Sequence, residues 1–434
     1  MSWEGWLAAY GISLMCLIGI GCPIAIALGL VAIGGIVVRN GWAFLATFGD
    51  ILWNNGNSFT LVAIPMFILM GEIILQTGLS RRFYRGLSLL LGRVSGGLAH
   101  ANIVGCAMFS AISGSSVATG ITMGQVALPE LRSRDYDLRL ATGSLAAGGT
   151  LGIMIPPSVP LIIYAVTVQA SIIDLFMAGV VPGLLLTALF MAWTKITILR
   201  HPGWAPKTKQ EPRAWSEIGM AWVDCLPFGI LIVLTIGSLY LGIVTPTEAG
   251  GFGALAAIVI SLLFRELNFR RLVSALIATA VTTSVVYYII VSGALLAFGI
   301  VDAGIARGVS NMVVELELSP FQFFLILCCV YLVLGMLIEG VSMMLLTIPV
   351  LYPSIVALGF DPTWFGIILV LFIEIGALTP PMGLNLFAIS SVAEDINLKT
   401  VIQGSFPYLM MMFVCMALLY MFPQIALWLP NTLH

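Results

Sequence analysis

The chain has 434 residues, of which 60% are hydrophobic and 9% are charged, and its formal net charge is −2. Soluble domains carry about a quarter charged residues, so this composition excludes a soluble globular protein and indicates an integral membrane protein. The balanced charge and the lack of a basic tract give no reason to expect nucleic acid as a partner.

Long, dense apolar segments run along the whole sequence. A membrane-spanning helix needs about 20 apolar residues, whereas strands of outer-membrane barrels alternate apolar and polar residues, and this sequence has no such alternation. We therefore predict an all-α polytopic membrane protein. In chain order the predicted apolar segments cover residues 5–38, 58–79, 95–113, 115–131, 139–169, 174–199, 225–242, 246–264, 272–299, 319–338, 341–359, 362–392 and 400–429.

The first segment, residues 5–38, has two interpretations. If Gly19–Pro23 is a tight turn, residues 5–21 mirror 225–242 and the N-terminus is periplasmic. If the segment is one long helix, the N-terminus is cytoplasmic. The opening stretch MSWEGWLAAYG lacks the basic start and cleavage site of a signal peptide, and its tryptophans suit a membrane interface.

Four loops between the segments are basic. Positive loops stay in the cytoplasm, so we place all four on that side. Their basic residues are Arg81, Arg82, Arg85 and Arg93 in the first, Arg132, Arg134 and Arg139 in the second, Lys195, Arg200, Lys207, Lys209 and Arg213 in the third, and Arg265, Arg270 and Arg271 in the fourth.

Two short apolar segments lie between the first two cytoplasmic loops and meet at the polar stretch SAISGSSVATG. They could be two full spans with a periplasmic turn. A re-entrant hairpin over residues 95–131, entering from the cytoplasm, fits their lengths and polar tip better, because irregular backbone at membrane depth is tolerated inside protein or against a cavity.

The next segment, residues 139–169, contains GGTLGIMIPPSVP, with three glycines and three prolines. Proline has no N–H and displaces the helical carbonyl behind it. We therefore predict a broken helix in which Pro156-Pro157 frees carbonyls around Gly152 and Ile153. A single Pro-Pro pair in a membrane helix is more often a kink than a binding site.

The second half has the same order of features. The loop 300–318 and the stretch GFDPT are not positive, so a hairpin over residues 319–359 with the tip IEGVSM enters from the periplasm. A second broken helix, 362–392, carries ALTPPMGLN. The Pro-, Trp- and charge-rich stretch 200–224 is the predicted cytoplasmic link between the halves.

The two halves align on these landmarks. A shift of 224 residues places Pro156-Pro157 on Pro380-Pro381, and a shift of 226 places Ser113-Gly114 on Glu339-Gly340 and TGLSR on AGIAR. We predict two repeats of opposite orientation, residues 1–199 and 225–434. Inverted repeats with discontinuous helices indicate the substrate site of a secondary transporter.

A broken helix offers carbonyls to a cation and amides to an anion. The polar side chains near the breaks and tips are neutral, and Na⁺ favours such oxygen ligands. We predict two Na⁺ sites, each between a hairpin tip and the neighbouring break, and no organic cofactor. The polar residues concerned are Ser113, Ser115, Ser116, Thr119, Thr150, Ser158, Ser342, Thr379 and Asn385.

Intramembrane acids support a different coupling ion. Glu72, Glu248, Glu339 and Glu374 fall in or beside apolar segments, and such residues can relay protons, Glu339 and Glu374 above all. A non-transporting scaffold or a channel is a further alternative. The sequence has no Walker phosphate loop and its three histidines are scattered, so we do not expect an enzyme.

Several stretches resemble the large membrane subunit (DctM type) of tripartite ATP-independent periplasmic (TRAP) transporters. They are AIPMFILMGE (63–72), CAMFSAISGSSVAT (106–119), GGTLGIMIPPSVPLIIYAV (148–166), SIIDLFMAGVVPG (171–183), TPTEAG (245–250) and GALTPPMGLNLF (376–387). The resemblance implies an elevator-type fold in the bacterial inner membrane with a periplasmic C-terminus. It implies Na⁺-coupled uptake of an organic anion, usually a carboxylate.

The resemblance also implies partners and site residues. The partners would be a periplasmic binding protein and a small four-helix membrane subunit, here expected as a separate chain, besides the surrounding lipid. Where this chain has Glu339, the family pattern leads us to expect aspartate. The implied Na⁺ ligands are Ser113, Gly114, Ser115, Gly152, Ile155 and Ser158 at one site and Gly340, Ser342, Gly376, Thr379 and Met382 at the other, and the implied substrate contacts are Ser115, Ser116, Ser158, Ser342 and Asn385.

Overall fold

The computed structural model describes residues 1–92, 94, 96–206, 215–392 and 395–433, and these form helices joined by short turns. The helices of the first half are α1 Trp3–Gly19, α2 Ile24–Asn40, α3 Phe48–Gly56, α4 Ala63–Gln76, α5 Leu79–Leu91, α6 Gly97–Ser113, α7 Ser116–Ser133, α8 Leu138–Met154, α9 Val159–Val168 and α10 Ile172–Arg200. Those of the second half are α11 Trp215–Ile232, α12 Ser238–Tyr240, α13 Pro246–Leu263, α14 Phe269–Asp302, α15 Ile305–Glu315, α16 Pro320–Gly335, α17 Gly340–Ala357, α18 Pro362–Leu378, α19 Leu384–Ser390, α20 Leu398–Met421 and α21 Gln424–Leu433.

Eight helical segments of the described chain are long and apolar enough to cross a membrane. Four shorter apolar helices, α2, α6, α16 and α18, accompany them. The prediction of an all-α polytopic membrane protein is confirmed. Two of the short helices, α6 and α16, are the first arms of the predicted hairpins, whereas α17, the second arm of the second hairpin, is one of the eight longer segments.

The N-terminal segment is two helices joined by a tight turn. Between α1 and α2, Gly21 has φ +85°, a left-handed conformation that favours glycine. The far ends of both helices meet the second half: the Trp3 ring lies against Gly308, and the Asn40 amide donates to the Asp302 carboxylate at 2.8 Å. The start of the chain, the end of α2 and the end of α14 therefore lie on one face.

The predicted cytoplasmic loops are tied to one another. Arg82, in α5, forms an ion pair of 3.1 Å with Glu266, which follows α13. The Asp137 N–H donates to the Trp204 carbonyl at 3.0 Å. The Arg139 guanidinium lies over the Trp204 ring and, bonded to Asp137, lowers the pKa of that carboxylate. Arg93, Lys207, Lys209 and Arg213 lie outside the described residues.

Two stretches assigned to loops are helical, which corrects the sequence analysis. The basic stretch 80–94 is largely α5, and the stretch 300–318 contains α15. In α5, Leu79, Phe83 and Leu87 recur every four residues and are buried, whereas the arginines between them face outward. This four-residue spacing is that of an amphipathic helix, which an assignment based on the positive charge of the stretch alone does not detect.

Two further boundaries differ from the predicted ones. The helix predicted to start at residue 225 starts at Trp215, because Asp224, the charge at which the predicted segment stopped, lies within α11 and pairs with Arg85 at 2.7 Å. The segment 400–429 divides at Phe422-Pro423 into α20 and α21, since proline interrupts the helical hydrogen bonds.

The two halves pack reciprocally. Helix α2 packs against α14, and α13 packs against α4. Helix α5 packs against α11, and α15 against α1. In the predicted repeat α2 corresponds to α13, α4 to α14, α5 to α15 and α1 to α11, so each contact has its counterpart with the halves exchanged. This is the arrangement that a two-fold axis generates.

Candidate functional site

A cavity of about 440 Å³ lies between the two predicted hairpin tips. We call it the tip cavity. Its walls include residues 113–118 of the first tip and 338–341 of the second, together with Gly71 and Glu72 of α4 and Thr282 of α14. Elements separated by more than 200 residues of sequence thus enclose one space.

The first tip depends on a glycine. Helix α6 ends at Ser113, and Gly114 follows with φ +59°. A side chain there would be strained, and its Cβ would lie 2.9 Å from the Pro157 carbonyl oxygen. Ser115 then starts α7 by accepting a hydrogen bond from the Ala118 N–H. The tip is therefore held directly against the break of the next helix.

The first break lies between α8 and α9. A Cβ on Gly152 would lie 2.6 Å from the Ser115 carbonyl oxygen, so the last turn of α8 touches the tip backbone. The chain then runs extended through Ile155, passes the cis Pro156-Pro157 bond and begins α9 after Ser158. Because neither proline has an N–H, the carbonyls four residues earlier lose their helical donors.

Polar side chains surround this junction. The Ser113 and Thr119 hydroxyls are hydrogen-bonded at 2.8 Å. Ser158 is fully buried, and its hydroxyl has no hydrogen-bond partner among the described residues. A buried hydroxyl without a partner costs about 1–3 kcal/mol, so a ligand that contacts it is favoured. The junction thus combines freed carbonyls with an unoccupied hydroxyl oxygen.

The second tip is built differently. Glu339 is the N-cap of α17, and its carboxylate accepts hydrogen bonds from Val341 N–H at 3.0 Å, Ser342 N–H at 3.1 Å and the Ser342 hydroxyl at 3.2 Å. Gly340 packs against the Ile373 side chain of α18. The glutamate therefore satisfies the first amides of its own helix, as a capping carboxylate does.

The second break lies between α18 and α19. Gly376 meets Gly335 of α16 backbone to backbone, with a Cβ on Gly335 only 2.8 Å from the Gly376 Cα. Thr379 is buried and its hydroxyl donates to the Ile375 carbonyl at 2.6 Å. Met382 is 54% exposed, and because its thioether is a poor ligand for a hard cation, its backbone carbonyl is the group suited to ligation.

The predicted substrate contacts divide into two groups. Ser115 and Ser116 line the tip cavity, whereas Ser158, Ser342 and Asn385 are buried behind it. Both polar atoms of the Asn385 amide lack a partner within the described chain. The sequence analysis missed the walls that α4 and α14 contribute, although a glycine and an acid inside the apolar stretch of α4 were a visible signal.

The acids have separate roles. Glu248 forms a capping box with Thr245 at the start of α13, and Glu339 caps α17. Glu72 lines the tip cavity. Glu374 is fully buried in α18 beside the Met154 backbone, and neither carboxylate oxygen has a hydrogen bond of regular geometry among the described residues. It is the acid whose position a structural role does not explain.

Comparison with known proteins gives consistent matches. The family model of the "Tripartite ATP-independent periplasmic transporter, DctM component" matches residues 12–425. The chain is 33% identical to the C4-dicarboxylate TRAP transporter large permease protein DctM of Rhodobacter capsulatus, covering 97% of this chain and 98% of that protein. It is 34% identical to the 2,3-diketo-L-gulonate TRAP transporter large permease protein YiaN of Escherichia coli, covering 96% and 97%.

A solved structure shares the fold. The YdaH transporter of Alcanivorax borkumensis superposes with a TM-score of 0.56, covering 92% of this chain and 90% of that one at 15% sequence identity. At that identity the likeness concerns the fold alone.

Proposed function

Because the chain belongs to the DctM family of TRAP transporters, as a large permease protein of the bacterial inner membrane and not an enzyme, we propose that it imports a small organic acid by Na⁺ symport. The observation that carries the proposal is the pair of proline-broken helices, each packed against a hairpin tip beside one cavity. The relatives named above transport organic acids, which supports the substrate class.

The substrate would occupy the tip cavity. Its volume of about 440 Å³ suits a small organic acid, and the residues that line it include Ser113, Ser115 and Ser116. Backbone amides at the start of α7 add donors for a carboxylate, whereas the first amides of α17 are already bonded to the Glu339 carboxylate. The anion would therefore be held by neutral dipoles rather than by a cation.

Two Na⁺ ions would drive the import. The first would bind at the junction of the first tip and first break, and the second at the equivalent junction of the second half. Freed carbonyls and the unpartnered Ser158 hydroxyl support the first site. The proposed ligands are Ser113, Gly114, Ser115, Gly152, Ile155 and Ser158 for the first ion and Gly340, Ser342, Gly376, Thr379 and Met382 for the second.

The transport step would be an elevator movement. The hairpins and broken helices (α6–α9 and α16–α19) would move as one body, the transport body, against a frame of α1–α4 and α11–α14. The reciprocal packing supports two inverted repeats, 1–199 and 225–434 with the link 200–224 between them. Close contacts without bulky side chains, such as Gly71 against Ser113, support a sliding interface.

The family works with a small membrane subunit and a periplasmic binding protein. We propose that this chain receives its substrate from such a binding protein and that its C-terminus is periplasmic. Support comes from α20: just before it, Asp395 pairs with Arg132 on the basic face at 3.0 Å, and its 24 residues are long enough to reach the other side.

Uptake in proteoliposomes tests the proposal. The permease is reconstituted with its small subunit, and the binding protein is added outside with radiolabelled carboxylates, beginning with succinate. We expect accumulation against the gradient only when external Na⁺ is present. Full accumulation driven by a pH gradient without Na⁺ would contradict Na⁺ symport, and non-saturable equilibration would indicate a channel.

The buried Glu374 favours proton coupling as the alternative. If its carboxyl carries the coupling proton, Glu374→Gln removes the pH dependence of uptake. If Na⁺ is the coupling ion, the variant keeps its Na⁺ dependence. Glu339→Gln is the comparison, because the Glu339 carboxylate caps α17 and its loss is expected to lower stability without changing the coupling ion.

A further inference from the structure

A second cavity adjoins the tip cavity on the basic face. It encloses about 720 Å³, and its walls share Leu75, Ala118 and Ile121 with the tip cavity. We call it the basic vestibule. Only these shared side chains are common to both linings, so the vestibule lies between the tip cavity and the face that carries the predicted cytoplasmic loops.

Its walls are strongly positive. Four arginines, Arg81, Arg82, Arg85 and Arg271, line it together with a single acid, Glu266. Neutral polar side chains of α4 and α7, including Gln76, Thr122 and Gln125, complete the polar lining. A cleft lined by one sign of charge concentrates ions of the other sign.

The arginines differ in how they are paired. Arg82 and Arg271 both form ion pairs with Glu266, and Arg85 pairs with the buried Asp224 outside the vestibule lining. Arg81 is exposed and forms no ion pair within the part of the chain that the structure describes. Its guanidinium is thus the group most available to a ligand, and a guanidinium fits a carboxylate with two parallel hydrogen bonds.

We propose that the basic vestibule is a second anion-binding site, in which Arg81 holds the carboxylate of the substrate after it leaves the hairpin tips. The ligand class is a small organic carboxylate. The proposal rests on the proposed function, since it places a further site on the path of that same substrate.

In the proposed movement we assign α5 to the frame, because α5 packs more extensively against the frame helix α11 than against α6 and α7 of the first hairpin. The two walls of the vestibule then lie on different bodies, with Arg81 and Arg82 on α5 and with Thr122 and Gln125 on α7. Movement of the hairpin against the frame would separate these walls. The site would therefore exist only while the tip cavity opens toward the basic face, and it would act on release of the substrate rather than on its capture.

Chemical protection tests binding without any transport. The purified permease in phosphatidylcholine nanodiscs, where no anionic headgroup competes, is treated with phenylglyoxal, and the modification of each arginine is followed by mass spectrometry. We expect succinate or gluconate to slow the modification of Arg81 saturably, by about fivefold or more, at ionic strength held constant with KCl. Arg270, an exposed arginine of the same face outside the described vestibule lining, is the internal control.

Equal slowing of Arg81 by chloride, or parallel slowing of Arg81 and Arg270, overturns the proposal. This result does not depend on uptake, so a permease that binds the carboxylate at Arg81 but shows no Na⁺-driven uptake refutes the proposed function and not the site.

Exchange measurements give the functional readout. The binding protein outside selects permeases whose basic face points into the lumen. For Arg81→Gln we expect a five- to tenfold higher lumenal succinate concentration for half-maximal exchange, with an unchanged external Na⁺ requirement. Arg270→Gln, which removes the same charge, should match the native protein. Identical exchange by all three proteins contradicts a role for Arg81 in release.

Discussion

Glycine residues bring the first hairpin tip and the first break into backbone contact. Gly152 lies against the Ser115 carbonyl, and Gly114 lies against the Pro157 carbonyl. Side chains at these two positions would separate the tip from the break, where the prolines free the carbonyls of Gly152 and Ile153. The proposed Na⁺ site thus depends on residues that have no side chain to contribute.

Gly152→Ala is expected to weaken Na⁺ binding. The added methyl group would meet the Ser115 carbonyl oxygen at 2.6 Å and the Ser116 Cα at 2.8 Å, which separates the tip from the break. We expect the Na⁺ concentration for half-maximal uptake to rise roughly tenfold, corresponding to ~1.4 kcal/mol. Gly251→Ala, where a Cβ would meet nothing within 4 Å, is the control. An unchanged Na⁺ requirement would remove Gly152 from the proposed site.

Asn385 and Asn102 are both fully buried, but only Asn102 is hydrogen-bonded. Its amide bonds to the Tyr84 and Ser144 hydroxyls, whereas the Asn385 amide has no partner among the described residues. We expect Asn385→Leu to raise the melting temperature while abolishing uptake, because an unsatisfied amide costs about 1–3 kcal/mol. Asn102→Leu should lower the melting temperature. Destabilisation by both substitutions would mean that Asn385 is bonded within the resting protein.

Among the elements, the two frame helices α4 and α14 each touch one hairpin. Gly71 of α4 faces the end of α6, with a Cβ position 3.0 Å from the Ser113 Cα. Gly293 of α14 faces Leu345 of α17 at 2.9 Å between Cβ positions. These contacts are where an elevator movement would slide one body past the other.

Gly71→Val is expected to slow transport more than it destabilises the fold. The larger side chain would wedge between α4 and the first tip in the conformation described here. We expect uptake to fall at least tenfold with a normal yield of folded protein on gel filtration. Gly251→Val is the matched substitution on another frame helix, at a position without neighbours within 4 Å. Equal uptake by both variants would argue against movement at this contact.

The elements differ in how well the sequence predicted them. Pro156-Pro157 and Pro380-Pro381 marked both breaks, because proline removes a helical donor wherever it lies. Helix α5 was not predicted, because its arginines indicated a cytoplasmic loop. The helical signal of this stretch lies instead in the four-residue spacing of Leu79, Phe83 and Leu87.

Contacts distant in sequence were beyond prediction. In the sequence, the charge of Asp224 indicates the boundary of an apolar segment. The structure shows that Arg85, which lies 139 residues earlier, pairs with Asp224. The walls of the tip cavity come from six separate stretches, namely α4, α14, both hairpin tips and both breaks, and could not be predicted for the same reason. The hydroxyls and glycines of the tips and breaks carried a local signal that the sequence analysis used, whereas the signal of Gly71 and Glu72 in α4 was not connected with the cavity.

For the whole molecule, the proposed division into frame and transport body separates two kinds of helix contact. Contacts within one body, such as α6 with α8, would persist through the transport cycle. Contacts between bodies, such as α14 with α17, would break and re-form. A crosslink between the two bodies should therefore stop transport, whereas the same crosslink within one body should leave transport unchanged.

Two disulfides with equal Cβ separations test this division. Cysteines replacing Gly293 and Leu345 would join frame and transport body, whereas Gly148→Cys would pair with native Cys106 inside the transport body; both Cβ pairs lie 2.9 Å apart, close enough after a small local shift. In a background whose other cysteines are serine, we expect oxidation to stop uptake only in the first variant, with recovery on reduction. Full uptake by the oxidised first variant, with the crosslink verified by mass spectrometry, would contradict the elevator movement.

The reciprocal packing of the halves also constrains how the protein is made. Helix α2 finds its main partner in α14, which starts roughly 230 residues after α2 ends, a wait of roughly 10–50 s at the usual speed of synthesis. Helix α4 must likewise wait for α13. During translation the first half therefore stands in the bilayer with its partner surfaces covered by lipid, exposed to premature association and to quality-control proteases. Ribosome pausing between the halves should lower the yield of this protein more than pausing after α14.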